Sequence, residues 1–219
     1  MEELNVRLRE LIEAVRTSDV PAEDLQKAED LVRQATVLVD AHKVEEMRMQ
    51  AALRFDALDE RMQKRAAGVD RFTDPDISAT DIFPYSPVVG ALNPISAPVQ
   101  LRVVDGEPHR SVVGTGVFPS AHNGPPDSVH GGIIAAAFDE LLGFLCVAND
   151  LGGFTGTLTV VYRSTTPIER TIDFEGTIDR IEGRKVFAKG VTHHDGTLLA
   201  EAEGIFIRAA LVNDMGSES

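Results

Sequence analysis

Gly124-Pro125-Pro126-Asp127-Ser128-Val129-His130-Gly131-Gly132 runs directly into Ile133-Ile134-Ala135-Ala136-Ala137-Phe138-Asp139-Glu140-Leu141-Leu142. A glycine- and proline-built turn thus opens onto an apolar helix whose only charges before Asp150 are Asp139 and Glu140. Downstream the period changes to two. Val-, Ile-, Thr- and Phe-rich strands are predicted at 99–104 and 111–118 before the helix, and at 156–163, 170–181, 184–194 and 198–208 after it. Asp105-Gly106, Glu182-Gly183 and Asp195-Gly196 supply hairpin turns between them. The order is two strands, one long apolar helix, then four strands read as an antiparallel meander. Such a helix has to be wrapped by the sheet, which gives an α+β fold.

The totals bound the rest. A chain of 219 residues suits one domain plus an extension, or two small domains. With 43% hydrophobic and 26% charged residues it has enough apolar material for a core. A formal net charge of -14 argues against nucleic acid and anionic membrane surfaces as partners. The single cysteine, Cys146, reads as core filler rather than nucleophile, and with no secretory signal in evidence the expectation is a soluble cytoplasmic protein.

Residues 1–72 read as a helical extension. Leu4, Leu8, Leu11, Ile12 and Val15 form one stripe, and Leu25, Ala28, Leu31, Val32, Ala35, Leu38 and Val39 a second. Between them Ser18 or Asp19 is expected to cap, with Pro21 in the first turn, so that the two helices form an antiparallel hairpin. A third helical run carries Met47, Leu53, Phe55, Leu58 and Met62, beside a basic stretch from Arg48 to Arg71. The extension is either an oligomerisation or docking arm or an appendage packed on its own domain. Residues 73–98 form a Pro-rich connector, 99–210 the globular domain and 211–219 a tail.

A carboxylate on an apolar helix is costly unless something uses or neutralises it. Paired glycines at a helix start expose N–H groups that can receive a developing oxyanion. These are two parts of a site for acyl transfer or thioester hydrolysis. Asp139 is the candidate nucleophile or general base, Glu140 a structural or interface ion-pair partner and second choice for the base. Gly131 and Gly132 are candidate oxyanion donors. His130 fixes the turn or holds an acyl carbonyl through its ring N–H, and Thr155 orients water or is an ordinary strand threonine. From His130 to Asp139 a helix advances about 13–14 Å and half a turn. Turn and carboxylate therefore cannot close on one carbonyl within a subunit, and a shared site requires a symmetric dimer. His193 and His194 point to opposite faces of a strand, so no metal is expected there. Nothing indicates a nucleotide redox cofactor.

These residues resemble a known family. Gly124-Pro125-Pro126, His130-Gly131-Gly132 and Asp139 nine residues on are similar to the hotdog-fold acyl-CoA thioesterases, nearest to the phenylacetyl-CoA thioesterase-like and carboxyl-terminal-modulator-type branches. Thr155-Gly156-Thr157-Leu158, Tyr162-Arg163-Ser164-Thr165-Thr166-Pro167 and Glu182-Gly183-Arg184-Lys185 continue the pattern to Phe206-Ile207, over roughly residues 85–209. The resemblance implies a hotdog fold, a homodimer joined edge to edge and often a tetramer. It also implies Asp139 as base or nucleophile, an oxyanion N–H from Gly131 of the opposite subunit, and a water-assisting Thr155. Some members place an asparagine six residues before the His-Gly-Gly. Gly124 stands there in this chain, with Asn123 one residue earlier as the candidate for that contact. Coenzyme A, as part of the substrate, would meet its phosphate contacts among Arg163, Arg180, Arg184 and Lys185. Ile133, Ala137, Phe138, Leu141, Leu142 and Phe144 line an acyl pocket or are simply core.

Two functions stay open on this reading. One is hydrolysis of an acyl-CoA to free acid and coenzyme A. The other is a non-catalytic acyl-CoA-binding regulator or scaffold that uses the helical arm for a partner. A hotdog dehydratase is a third.

Overall fold

The computed structural model describes residues 1–44, 50 and 77–208. The third helical run, the basic stretch and the tail fall outside the described residues. The helices are α1 (Glu2–Thr17), α2 (Ala22–Asp40), α3 (Ala79–Ile82) and α4 (Gly131–Ala148). A 3-10 turn covers Ser120–His122. The strands are β1 (Gln100–Val104), β2 (Ser111–Val117), β3 (Gly153–Tyr162), β4 (Thr171–Glu182), β5 (Lys185–His194) and β6 (Thr197–Arg208).

All pair antiparallel in one six-stranded sheet of order β1-β2-β4-β5-β6-β3 that wraps α4. This is the α+β hotdog fold that the resemblance implied. Nine residues of α4 are buried, among them Ile134, Phe138, Leu141, Leu142, Phe144 and Leu145. Each large side chain of this kind contributes about 1.5–3 kcal/mol on leaving water. They meet inward-facing Val112, Ile172, Phe174, Val186, Ala188, Ala202 and Phe206, spaced by the two-residue strand period. Ala137, Phe138, Leu141, Leu142 and Phe144 are therefore core, and only Ile133 of the six acyl-pocket candidates is partly exposed.

Three expectations are corrected. Only β4, β5 and β6 form a meander, because β3 pairs with β6 at the far edge of the sheet. Residues 163–170 carry the chain back across the fold to β4, and on the way Thr166 accepts a bond from Val129 N (2.8 Å). The cap of α2 is Pro21, not Ser18 or Asp19; its carbonyl receives Asp24 N and Leu25 N at 3.0 and 2.9 Å.

The helix hairpin is also absent: α2 buries none of its residues, with Leu31 and Leu38 66% and 70% exposed. Extended backbone at Ser18 and Pro21 carries α2 away, while α1 turns to the domain instead. There Asn5 is buried, and an Arg9 Nη donates to the carbonyl of Asn93 at 3.0 Å. Residues 77–99 are irregular but packed: Ala79, Ile82, Val89, Ala97 and Val99 join the core, and Phe83 sits edge-on to Phe144. The 18-residue α4 has the length and apolarity of a membrane span, yet it is the core helix of this sheet.

Candidate active site

The glycine turn is held from several sides. Gly124 N donates to Ser128 O (2.8 Å), Val129 N to Thr166 O, and His130 N to His122 O (2.9 Å). Asn123 Nδ2 donates to Pro125 O at 3.1 Å, so this side chain pins the loop rather than reaching for a substrate. Gly124 has a steric reason: a Cβ there would lie 2.7 Å from the Cα of His130. A side chain such as the asparagine that the resemblance suggested for this position has no room here.

His130 is the N-cap of α4, and its Nδ1 accepts from Gly132 N at 3.0 Å. The imidazole thus holds the turn as an acceptor. That bond occupies the Gly132 N–H. The His130 carbonyl takes the next two donors, Ile133 N and Ile134 N. Among the described residues the Gly131 N–H donates to nothing, and it stands at the positive end of an 18-residue helix. Of the two candidate donors, Gly131 is the one left free. Tyr162 Oη donates to the Gly131 carbonyl at 2.7 Å and so holds the Gly131–Gly132 peptide, the one that follows the free N–H, from the end of β3. Neither periodicity nor spacing points to that role. Beside it lies an open cavity of about 480 Å³ lined by Pro125, Val129, Gly131, Ile134, Tyr162 and Arg163, among others.

Asp139 and Glu140 part company as their 100° offset requires. Asp139 is exposed on this chain rather than buried, and Thr155 Oγ1 donates to its Oδ1 at 2.7 Å. The β3–β6 register shifts between Thr155 and Thr157. Leu158 and Val160 face inward, so simple alternation would send Thr155 outward; the extra residue, Gly156, reverses the parity and aims it at the helix. Glu140 is no ion-pair partner among the described residues. Its carboxylate accepts from Gln50 Nε2 (2.7 and 2.8 Å) and from Ser86. Burial pushes its carboxyl above the usual range, those two bonds oppose the shift, and neighbouring Asp139 adds to it.

The four cationic candidates differ in what they already hold. Arg163 lines the cavity beside Gly131 and pairs with Glu201 (2.6 Å). Arg180 bonds Asp179 and Glu182 and stacks over Phe187, and Arg184 donates to the carbonyl of Arg208. The Lys185 side chain makes no hydrogen bond or ion pair to a described residue and is exposed. His194 Nδ1 meets the Thr171 carbonyl at 2.9 Å, while His193 lies opposite Asp173 on β4. No group of three potential metal ligands occurs among the described residues. Burial pushes the Cys146 thiol up to about 12, which leaves it inert. Among the described residues no strand pairs with the outer side of β3, an edge carrying exposed Phe154, Val161 and Tyr162.

Comparison with known proteins bears on the fold. No protein-family model matches the chain. The acyl-coenzyme A thioesterase THEM4 of Xenopus laevis is 37% identical over 87 residues, 39% of this chain and 39% of that protein. The acyl-coenzyme A thioesterase THEM5 of Homo sapiens is 28% identical over 90 residues, 40% and 36% of the two chains. The chain thus matches about two fifths of the length of these curated relatives. The crystal structure of a thioesterase superfamily protein aligns with a TM-score of 0.75 at 21% identity, covering 94% of this chain and 89% of that one. That coverage includes part of the helical arm as well as the sheet and its helix, and it shows the shared fold.

Proposed function

We propose that this chain, a relative of the hotdog thioesterase superfamily, hydrolyses an acyl-CoA thioester to the free acid and coenzyme A. The observation that carries the reading is the pair of half-sites on α4. A free N–H at Gly131 is locked in place at one end, and an ionisable Asp139 is oriented by Thr155 two turns further on. Asp139 takes a proton from water, whose oxygen attacks the thioester carbon. The carbonyl oxygen becomes an oxyanion on the Gly131 N–H. Collapse of the tetrahedral intermediate breaks the C–S bond, and the thiolate leaves with the proton that Asp139 returns. Thr155, donating to Asp139, keeps lone pairs with which to accept from the same water.

The two halves serve one carbonyl when two copies pair, so a homodimer is part of the proposal. The exposed β3 edge, with apolar side chains and no partner strand among the described residues, supports that pairing. Arg163, at the mouth of the turn cavity, and unpaired Lys185 are the candidates for the coenzyme A phosphates. The names of the two relatives support acyl-CoA as substrate.

The test is thiol release from short, medium, long and aromatic acyl-CoAs by the wild type and by Asp139→Ala. Loss of a general base lowers turnover by about 10²–10⁴. An Asp139→Ala protein as active as wild type removes Asp139 from the mechanism; acyl-CoA binding with no turnover in either protein favours the non-catalytic regulator. Mixing inactive Asp139→Ala with inactive Gly131→Pro chains should restore up to about a quarter of the activity, since half of randomly formed dimers then hold one intact site of two. No recovery on mixing argues for a site within one subunit.

A further inference from the structure

We propose that Glu13 of the N-terminal helix is a positioning residue for the oxyanion turn. From the third turn of α1 the Glu13 carboxylate accepts from three groups on one short segment. These are Ser120 Oγ, in a short hydrogen bond, Ser120 N at 3.3 Å and Ala121 N at 3.2 Å. They open the 3-10 turn Ser120–His122. The turn ends at His122, whose carbonyl is the acceptor for the His130 amide at 2.9 Å.

His130 is the cap that engages Gly132 and leaves the Gly131 N–H free. Two hydrogen-bonded links therefore separate an exposed arm from the proposed oxyanion donor. Bonds to a charged acceptor are about twice as strong as neutral ones, and here three converge on one carboxylate, so the turn is set from the arm rather than from the sheet alone. His122 packs edge-on against Phe118, with 6.0 Å between ring centroids, which adds a contact to the turn on that side. Arg9, one turn earlier on α1, instead bonds the carbonyls of Ala91 and Asn93. It ties the helix to the domain without touching the 3-10 turn, so the two contacts are separable by mutation.

The kinetic arm of the test rests on the thioesterase reading; the exchange arm does not. Amide hydrogen exchange at His130 is measured in the wild type, Glu13→Ala, Glu13→Gln and Arg9→Ala, with Ser120→Ala as a second route to the same lost contact. Kinetic constants for acyl-CoA hydrolysis are taken on the same samples. Glu13→Ala should speed His130 exchange and lower kcat, each by about tenfold, with KM unchanged. Glu13→Gln keeps an acceptor and recovers part of both, Ser120→Ala follows Glu13→Ala more weakly, and Arg9→Ala matches the wild type. Unchanged His130 exchange in Glu13→Ala overturns the proposal, whether or not the protein hydrolyses any thioester. Faster exchange with unchanged kcat in an active enzyme overturns it too. Equal losses in Arg9→Ala reduce the effect to general docking of α1 and also count against it. A wild type with no turnover refutes the thioesterase reading, and the exchange at His130 still decides the link.

Discussion

Thr155 on β3 and Asp139 on α4 are joined by a 2.7 Å hydrogen bond that exists because Gly156 adds one residue to the strand. Without the bulge, Thr155 would share the outward parity opposite to Leu158 and Val160. The hydroxyl sets the rotamer of the carboxylate and presents its own lone pairs beside it. Thr155→Val keeps the shape and removes the donor, so kcat should fall about tenfold, the worth of one hydrogen bond. Thr155→Ser keeps the hydroxyl and should retain most of the activity. Steady-state thiol release by the two variants checks this, and a Val variant with wild-type kcat denies Thr155 its role.

Gly131 allows an N–H to be deleted with little else. It is the first residue of α4, where proline is well tolerated, and His130 before it has the extended backbone that a following proline requires. A new Cβ would meet the Tyr162 ring at 3.3 Å, a tight contact that Gly131→Ala shares. Gly131→Pro should therefore lose about 10²–10³ in kcat relative to Gly131→Ala, the usual cost of one oxyanion donor. Equal rates in the two variants would falsify a backbone oxyanion role at this position.

What was legible in the sequence followed from periodicity and spacing. The long apolar helix after His130 and the strands around it lie within a few residues of their predicted bounds, because burial on all sides leaves a strong pattern. The position of β3 was not legible, since a strand at the sheet edge and one in a meander share the same alternation. The bulge at Gly156 hides behind an ordinary Thr-Gly-Thr. The role of Tyr162 was not legible, because its bond to Gly131 joins residues 31 apart in sequence. Asp139 was expected to be buried from the apolarity of its helix, whereas the helix turns that face outward. The hairpin of α1 and α2 failed because two amphipathic stripes say nothing about whether they meet.

Gly124 carries a steric demand that the sequence motif alone does not explain. A Cβ placed 2.7 Å from the Cα of His130 meets backbone, which cannot rotate away. Gly124→Ala should displace His130, loosen its cap on Gly132 and cost stability and turnover together, with about 1–3 kcal/mol of destabilisation, as for overpacked sites. Chemical denaturation and kinetics on the same variant test the pairing. A Gly124→Ala protein of unchanged stability and kcat contradicts the close approach.

Cys146 should be silent. Fully buried on α4, with its thiol pushed up to about 12, it has almost no thiolate at neutral pH. Thiol reagents should label the native protein only after denaturant is added, and Cys146→Ala should keep the native kcat. Rapid labelling of the folded protein would show that the helix opens on the time scale of the assay.

Glu140 links stability to pH with a definite sign. Burial raises its carboxyl above the unfolded value, against the opposing bonds from Ser86 and Gln50. A group whose pKa rises on folding favours the fold when protonated. Its stabilising contribution is therefore fully present below the ordinary glutamate value, about 4.3, and is lost as pH climbs through the raised value in the fold. The charged form of this buried carboxylate is disfavoured, the more so next to Asp139. Glu140→Gln keeps an acceptor for Gln50 without the charge, so it should be more stable than the wild type at pH 7, with the gap closing as the pH is lowered toward 4. Its turnover should stay near that of the wild type, since the proposed base is Asp139. Thermal unfolding across this pH range reads the first expectation and thiol release the second. A variant less stable than the wild type at pH 7 would mean that the Gln50 and Ser86 bonds outweigh the desolvation of the charge.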